Sequence, residues 1–283
     1  MKIIRHIPDM QAHSDQARIS RKTVVLVPTM GYLHQGHLSL ITEAKKHGDE
    51  VVVSIFVNPA QFGPGEDLEA YPRDFDRDRA LCEEAGADVI FSPDPNTVYG
   101  PGYQTYVTLE KLPQHLCGLS RPVHFRGVAT VVTKLFNIVK PHAAVFGQKD
   151  YQQLLVIRRM VRDLNFDIDI IGAPIVREPD GLAMSSRNTY LTPDHRRQAL
   201  CLSRSLDRAQ ERVQAGETDP DRIRREALDS IEAQPDAAVD YVTLSDPHTL
   251  EPVSTLNRPV LMALAVKFGK TRLIDNRILA PHP

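Results

Sequence analysis

Apolar residues in this chain gather into short β-branched runs separated by stretches of helical period. TVVLV (23–27) is followed by PTMG and then a helical pattern from His37 to His47. EVVVSIFV (50–57) is apolar at successive positions, as in a strand covered on both faces within a parallel sheet. Strand, helix and strand here predict a βαβ unit, right-handed by the usual crossover rule. The alternation recurs. Residues 73–85 read as a helix stopped by Gly86, DVIFS (88–92) as a strand, and 124–139 as a helix with Val128, Val131, Val132, Leu135, Phe136 and Val139 on one stripe. AAVFG (143–147), 151–164 and DIDII (167–171) continue as strand, helix and strand. The pattern predicts a doubly wound parallel α/β sheet.

After about residue 178 the pattern changes. Thr192-Pro193 forms an N-cap and first-turn pair, and Ala199, Leu202, Leu206, Ala209 and Val213 recur at helical spacing until Gly216. Asp219-Pro220 opens a second helix to about Gln234, and strands are expected near 239–244, 259–267 and 271–275. This predicts a smaller α+β domain over 179–283, behind a first domain over 1–178.

Composition narrows the function classes. The chain has 283 residues, 42% hydrophobic and 25% charged, with 34 Lys plus Arg against 36 Asp plus Glu. A protein that binds nucleic acid through its phosphates carries a basic surplus, and a net charge of −2 is not one. Cys82, Cys117 and Cys201 are odd in number and far apart. They suit a reducing compartment better than a disulfide framework or a CxxC metal site. No apolar run reaches the ~18 residues of a membrane span, and MKIIRHIPDM has no signal-peptide apolar region. The expectation is a soluble, cytoplasmic protein with neither nucleic acid nor membrane as partner.

Four segments carry candidate chemistry, and none is a standard nucleotide loop. GKT at 269–271 lacks the first glycine of a P-loop, whose place is taken by Leu264, and no GxGxxG follows a predicted strand. PTMGYLHQGH (28–37) lies at the first strand-to-helix turn, where open α/β sheets bind ligands. There Gly31 and Gly36 permit close backbone approach, and His34 and His37 sit three apart at a helix N-terminus that favours an anion. Buried turn histidines are the alternative, and a zinc site would need a third ligand. NPAQFGPGEDLEAYPRD (58–74) places Gln61 beyond the next strand; its amide suits a hydroxy or amino acid, although the segment also reads as a solvated loop. In FGQKDYQQL (146–154), Lys149 offers a phosphate charge and Asp150 either a helix cap or a magnesium ligand, while Gln152 and Gln153 are expected to face the first turn. GLAMSSRN (181–188), with two serines and Arg187, reads either as a polar linker or as a hinge closing over a triphosphate.

Together these segments, with CGLSRPVHFRGV (117–128) and GKTRLIDN (269–276), resemble the ATP-dependent pantoate–β-alanine ligase family in order and spacing, nearly end to end. Val123 departs from the usual glycine of RPGHFRGV, and Tyr32 occupies a position the family varies. The resemblance implies a Rossmann-like nucleotidyltransferase domain with a smaller C-terminal domain closing over the site, and a cytoplasmic homodimer. It implies that (R)-pantoate and ATP, with Mg²⁺, form pantoyl adenylate and pyrophosphate, and that β-alanine then displaces AMP. Carried over by position, the ATP site comprises Met30, Gly31, Tyr32, Leu33, His34, Gln35, Gly36, His37, Gly147, Gln148, Lys149, Asp150, Val176, Met184, Ser185, Ser186 and Arg187. His37 is the implied proton donor, with His34 and Lys149 as further catalytic candidates. Val176 would act through its backbone. Gln61 would contact pantoate and β-alanine, and Gln153 pantoate.

Overall fold

The computed structural model describes residues 1–66 and 68–281; Asp67 of the acidic loop segment and the last two residues of the predicted second domain lie outside them. The chain forms two compact units. The first contains Met1–Pro113, Arg121–Gln148 and Gln152–Pro174, and the second Gln114–Ser120, Lys149–Tyr151 and the chain from Ile175 onward. The sequence-based division at 178/179 falls inside the second.

The first unit is built on β1 (Lys2–Ile4), β2 (Val24–Thr29), β3 (Glu50–Ile55), β4 (Val89–Phe91), β5 (Ala143–Gly147) and β6 (Asp169–Ala173). These strands pair in the order β1-β4-β3-β2-β5-β6, and every neighbouring pair is parallel. Helices α1 (Ile7–Ile19), α2 (Gln35–Ala44), α3 (Phe75–Ala85), α4 (His124–Val139) and α5 (Tyr151–Asp163) connect them. The middle strands are β-branched and almost wholly buried, as the run of successive apolar positions requires. At α3, Asp74 Oδ1 accepts the Arg77 amide at 3.1 Å, and Gly86 ends the helix at φ 82°, the left-handed cap expected of glycine.

Strand β1 and helix α1 have no counterpart in the sequence pattern. Helix α1 buries only Met10, Ser14 and Ala17, too thin an apolar stripe to show as a helical period.

Chain order reverses on either side of β2: the chain runs from β2 to β3 and β4 in one direction, and β5 lies on the other side. Such a switch point opens a crevice at the carboxyl ends of the strands. Here β2 pairs with β3 through all six residues from Val24 to Thr29, but with β5 only at Val25 and Leu26. Pro28 falls beyond the last β2–β5 pair. The two strands therefore part just before the PTMG turn begins.

The second unit holds an antiparallel sheet of β7 (Ala237–Ser245), β8 (Val260–Phe268) and β9 (Thr271–Leu279), in that order. Its helices are α6 (Pro193–Ala199), α7 (Cys201–Gln214) and α8 (Pro220–Glu232). The single helix expected from 193 to 216 is two helices, divided at Leu200. Thr192 and Asp219 cap their helices through side-chain oxygens, as read from the sequence. Leu202, Leu206, Ile223, Ile231, Leu264 and Phe268 form its core.

Candidate active site

The turn after β2 is closed by internal hydrogen bonds. Thr29 Oγ1 donates to the Ser54 carbonyl at 2.8 Å and accepts the Gly31 amide at 3.2 Å. Gly31 and Tyr32 take positive φ of 83° and 50°. Left-handed backbone suits glycine but is strained for tyrosine. The amides of Tyr32 and Leu33 each donate at 2.7 Å to a different oxygen of Asp78, a carboxylate on α3 that is 1% exposed. Burial pushes that carboxyl above its ordinary range, while the two amides and Arg77 pull it the other way.

His34 caps α2, and His37 lies in its first turn. The Gly36 amide donates to His34 Nδ1 at 3.1 Å, and the His34 amide donates to His37 Nδ1 at 3.3 Å. An Nδ1 that accepts an N–H cannot itself carry a proton, so each neutral ring carries its proton on Nε2. The ring centroids are 4.1 Å apart. In the structure, the amides of Gly31, Tyr32, Leu33, His34 and Gly36 all meet acceptors within the protein. These five amides are thus satisfied within the protein. The N–H that each imidazole then carries is on Nε2.

The turn after β3 solves a similar problem with an amide. Asn58 caps the short turn Pro59–Gln61 and is 1% exposed. Its Oδ1 accepts the Ala60 amide at 3.3 Å and the Tyr99 hydroxyl at 2.8 Å; its Nδ2 donates to the Gly127 carbonyl at 3.1 Å and to Gln61 Oε1 at 3.0 Å. A backbone N–H only donates and a backbone C=O only accepts, so these two partners fix which end of Asn58 is which. Gln61 must then turn its oxygen to Asn58 and its Nε2 hydrogens toward Met30, whose sulfur lies 3.2 Å away. Gly127 is where α4 meets this turn: a Cβ there would stand 2.3 Å from the Ala60 carbonyl oxygen and 2.4 Å from Gln61 Cα. The Gln61 carbonyl in turn faces His124 Nδ1 at 3.2 Å, and Arg121 clasps Glu66 through Nε at 3.0 Å. Burial raises the Glu66 carboxyl, but Arg121 wins and holds it below the usual carboxylate range.

Asn58, Asp78, Tyr99 and Gly127 were not singled out from the sequence. Asn-Pro at a strand end does signal a side-chain cap for Asn58. Asp78 and Tyr99 act on residues more than 40 positions away and have no local signature. Val123 has φ −92° and ψ −13°, ordinary right-handed backbone, so the family's usual glycine is not needed for conformation there.

Beyond β5, Gln148 Nε2 donates to the Gly172 carbonyl of β6 at 3.2 Å. Gln152 is buried with its amide nitrogen on the Leu112 carbonyl at 2.8 Å, so it holds the loop instead of facing the first turn. Gln153 is half-buried in the first turn of α5, and Gly147 ends β5. In the second unit, Asn276 Nδ2 holds the Lys149 carbonyl at 2.8 Å, Lys149 is half-buried and Asp150 is exposed. Val176 accepts the Met184 amide at 3.0 Å, and Arg177 bridges Ala183 in a short hairpin. Ser185 Oγ accepts the Arg187 amide at 3.3 Å and starts the Ser186–Tyr190 turn. Asn188 ties that turn to Glu178 and Ala183, and Arg177 forks onto Asp275 at 2.6 and 3.0 Å. The segment read as a linker or hinge is thus a fastened hairpin and turn inside the second unit.

A parallel sheet whose chain order reverses at β2, with the His34–His37 pair and Gln61 in the turns that follow β2 and β3, defines a Rossmann-like α/β protein. Residues 2–278 match the family model described as pantoate-beta-alanine ligase. The chain belongs to the pantoate–β-alanine ligase family, ligases that form an amide bond. It is 62% identical over 281 residues to the pantothenate synthetase of Desulfatibacillum aliphaticivorans, covering 99% of this chain and all of that one. The crystal structure of pantothenate synthetase from Thermus thermophilus superposes with a TM-score of 0.94 at 45% identity, covering 99% of this chain and 100% of that one. A pantoate-beta-alanine ligase from Francisella tularensis, complexed with beta-gamma ATP and beta-alanine, gives 0.80 at 33% identity, with 98% and 97% covered.

Proposed function

We propose that this chain joins (R)-pantoate to β-alanine through a pantoyl adenylate, with the paired imidazoles as hydrogen-bond donors to the nucleotide. The pantoate carboxylate attacks the α-phosphorus of ATP and pyrophosphate leaves. The β-alanine amine then attacks the acyl carbon, AMP leaves, and the amine's proton passes to solvent. The observation that carries this reading is that backbone amides donate to Nδ1 of both His34 and His37, which assigns the proton of each neutral ring to Nε2. Such donors stabilise charge growing on phosphate oxygens without first taking up a proton. In this reading His37 is the leading catalytic group and serves by hydrogen bonding from a neutral ring.

Gln61 supports the same reading, because an amide that turns only N–H toward the ligand selects an acceptor such as the pantoate carboxylate. We assign Gln153 to pantoate, and Met30 to His37, Gly147 and Gln148 to the nucleotide. Lys149, Asp150, Val176 and Met184 to Arg187 are proposed nucleotide contacts by their positions in the family's motifs. Among the described residues, no three His, Cys, Asp or Glu side chains converge as a metal cage. Magnesium is proposed to arrive as MgATP, held chiefly by phosphate oxygens as that ion prefers. A cytoplasmic homodimer is proposed with the family; no helix among the described residues is long and apolar enough to cross a membrane.

Isotope exchange tests the pathway. With ATP, Mg²⁺ and pantoate but no β-alanine, labelled pyrophosphate should enter ATP, and omitting pantoate should stop it. Release of ADP in place of AMP would overturn the adenylate route.

A further inference from the structure

Asp78 is a buried carboxylate for which the proposed chemistry has no use. It stands in the first turn of α3, where the helix dipole favours negative charge. Both of its oxygens point at another element: Oδ2 takes the Tyr32 amide and Oδ1 the Leu33 amide, each at 2.7 Å. Arg77, beside it, lies 3.8 Å from Oδ1 and places its guanidinium 5.1 Å from the centre of the Tyr32 ring. A single turn of α3 therefore grips Tyr32 by amide and by ring. Tyr32 needs gripping, because its φ of 50° follows that of Gly31 at 83°, and two successive left-handed residues are not held by local preference. The fit is close: a Cβ on Gly31 would sit 3.0 Å from Asp78 Oδ2. Immediately after Leu33 comes His34, whose amide donates to His37 Nδ1.

We propose that Asp78 is a positioning residue for catalysis: by clamping the Tyr32 and Leu33 amides it sets the entry of the chain into α2, and so the donor geometry of His34 and His37. It touches no substrate. Its effect reaches the reaction through the turn, and the proposal rests on the role given above to the two imidazoles.

The experiment uses the full chain. Asp78→Asn keeps the size of the side chain but can accept only one of the two amides while setting an NH₂ against the other. Pyrophosphate-exchange turnover should fall roughly ten- to a hundredfold, as expected when reacting groups are misplaced by about an ångström. The KM for pantoate should stay within about twofold, since the Gln61 turn is built from other residues. In ¹⁵N-labelled protein the ring signals of His34 and His37 should move from the Nε2–H tautomer pattern. Unchanged turnover with unchanged ring signals overturns the proposal, as does an equal rise in every KM at unchanged kcat. Should Asp78→Asn fail to fold, hydrogen exchange of the unmutated protein decides. The Tyr32 and Leu33 amides must then be strongly protected, and exchange at loop rates overturns the clamp. If the unmutated enzyme shows no pantoate-dependent exchange, the functional reading fails by itself, while the ring signals and amide protection still report on the clamp.

Discussion

The turn after β2 and the turn after β3 both take side chains of ambiguous polarity and turn them into donors. In the first, the ambiguity is which imidazole nitrogen holds the proton, and amides within three residues resolve it. In the second, it is which end of the Gln61 amide points toward Met30. Asn58 resolves that; the Ala60 amide and the Gly127 carbonyl fix Asn58 in turn, and the Tyr99 hydroxyl adds a third hydrogen bond. The result is the same N–H face, reached by backbone geometry in one case and by packing of distant elements in the other. An N–H face fits anions, which both the phosphate and the carboxylate of the proposed reaction are.

Substitutions at three positions probe this comparison. His37→Ala should have the largest effect, because it removes a donor aimed at charge that grows in the transition state. Turnover in the exchange assay should drop ~10²–10³-fold with ATP affinity little changed. His37→Gln keeps a neutral N–H and should recover part of the loss; equal defects in both variants would mean that His37 acts by giving up a proton.

Gln61→Glu is the second. It replaces the donor by a carboxylate next to a site that is to receive one, so the KM for pantoate should rise at least about tenfold. Steady-state kinetics at saturating ATP measures this, and an unaltered pantoate KM would remove Gln61 from the binding face.

Tyr99→Phe should be the mildest. It deletes one hydrogen bond to Asn58, ~0.5–1.5 kcal/mol, and leaves the two backbone partners that fix Asn58 in place. The pantoate KM should rise a few-fold with kcat retained. A defect as large as that of Gln61→Glu would show that the Tyr99 hydroxyl, not the backbone, orients the relay.

The cysteines contrast with these polar turns. Burial pushes the Cys82 and Cys201 thiols up to about 12, which keeps them protonated near neutral pH and poor nucleophiles.

What the chain determined by itself was whatever short-range pattern encodes. Successive apolar residues in β2 and β3, the stripe of α4, the Asp74 and Thr192 caps and the stop at Gly86 follow from local periodicity and backbone preference, and the structure contains each of them. The motif order also placed His34, His37 and Gln61 at strand ends, where an open sheet binds ligands. Tertiary structure decided the rest. Only the pairing order put β5 beside β2 and made their ends a switch point, and only packing brought Asp78 to Tyr32 and Leu33, and Gly127 and Tyr99 to Asn58. Helix α1 was invisible for the complementary reason, since three buried positions leave almost no period. A sequence shows which groups can donate or accept. Which of those capacities remains for a ligand depends on every neighbour that has already used one, and those neighbours are assembled only by the fold.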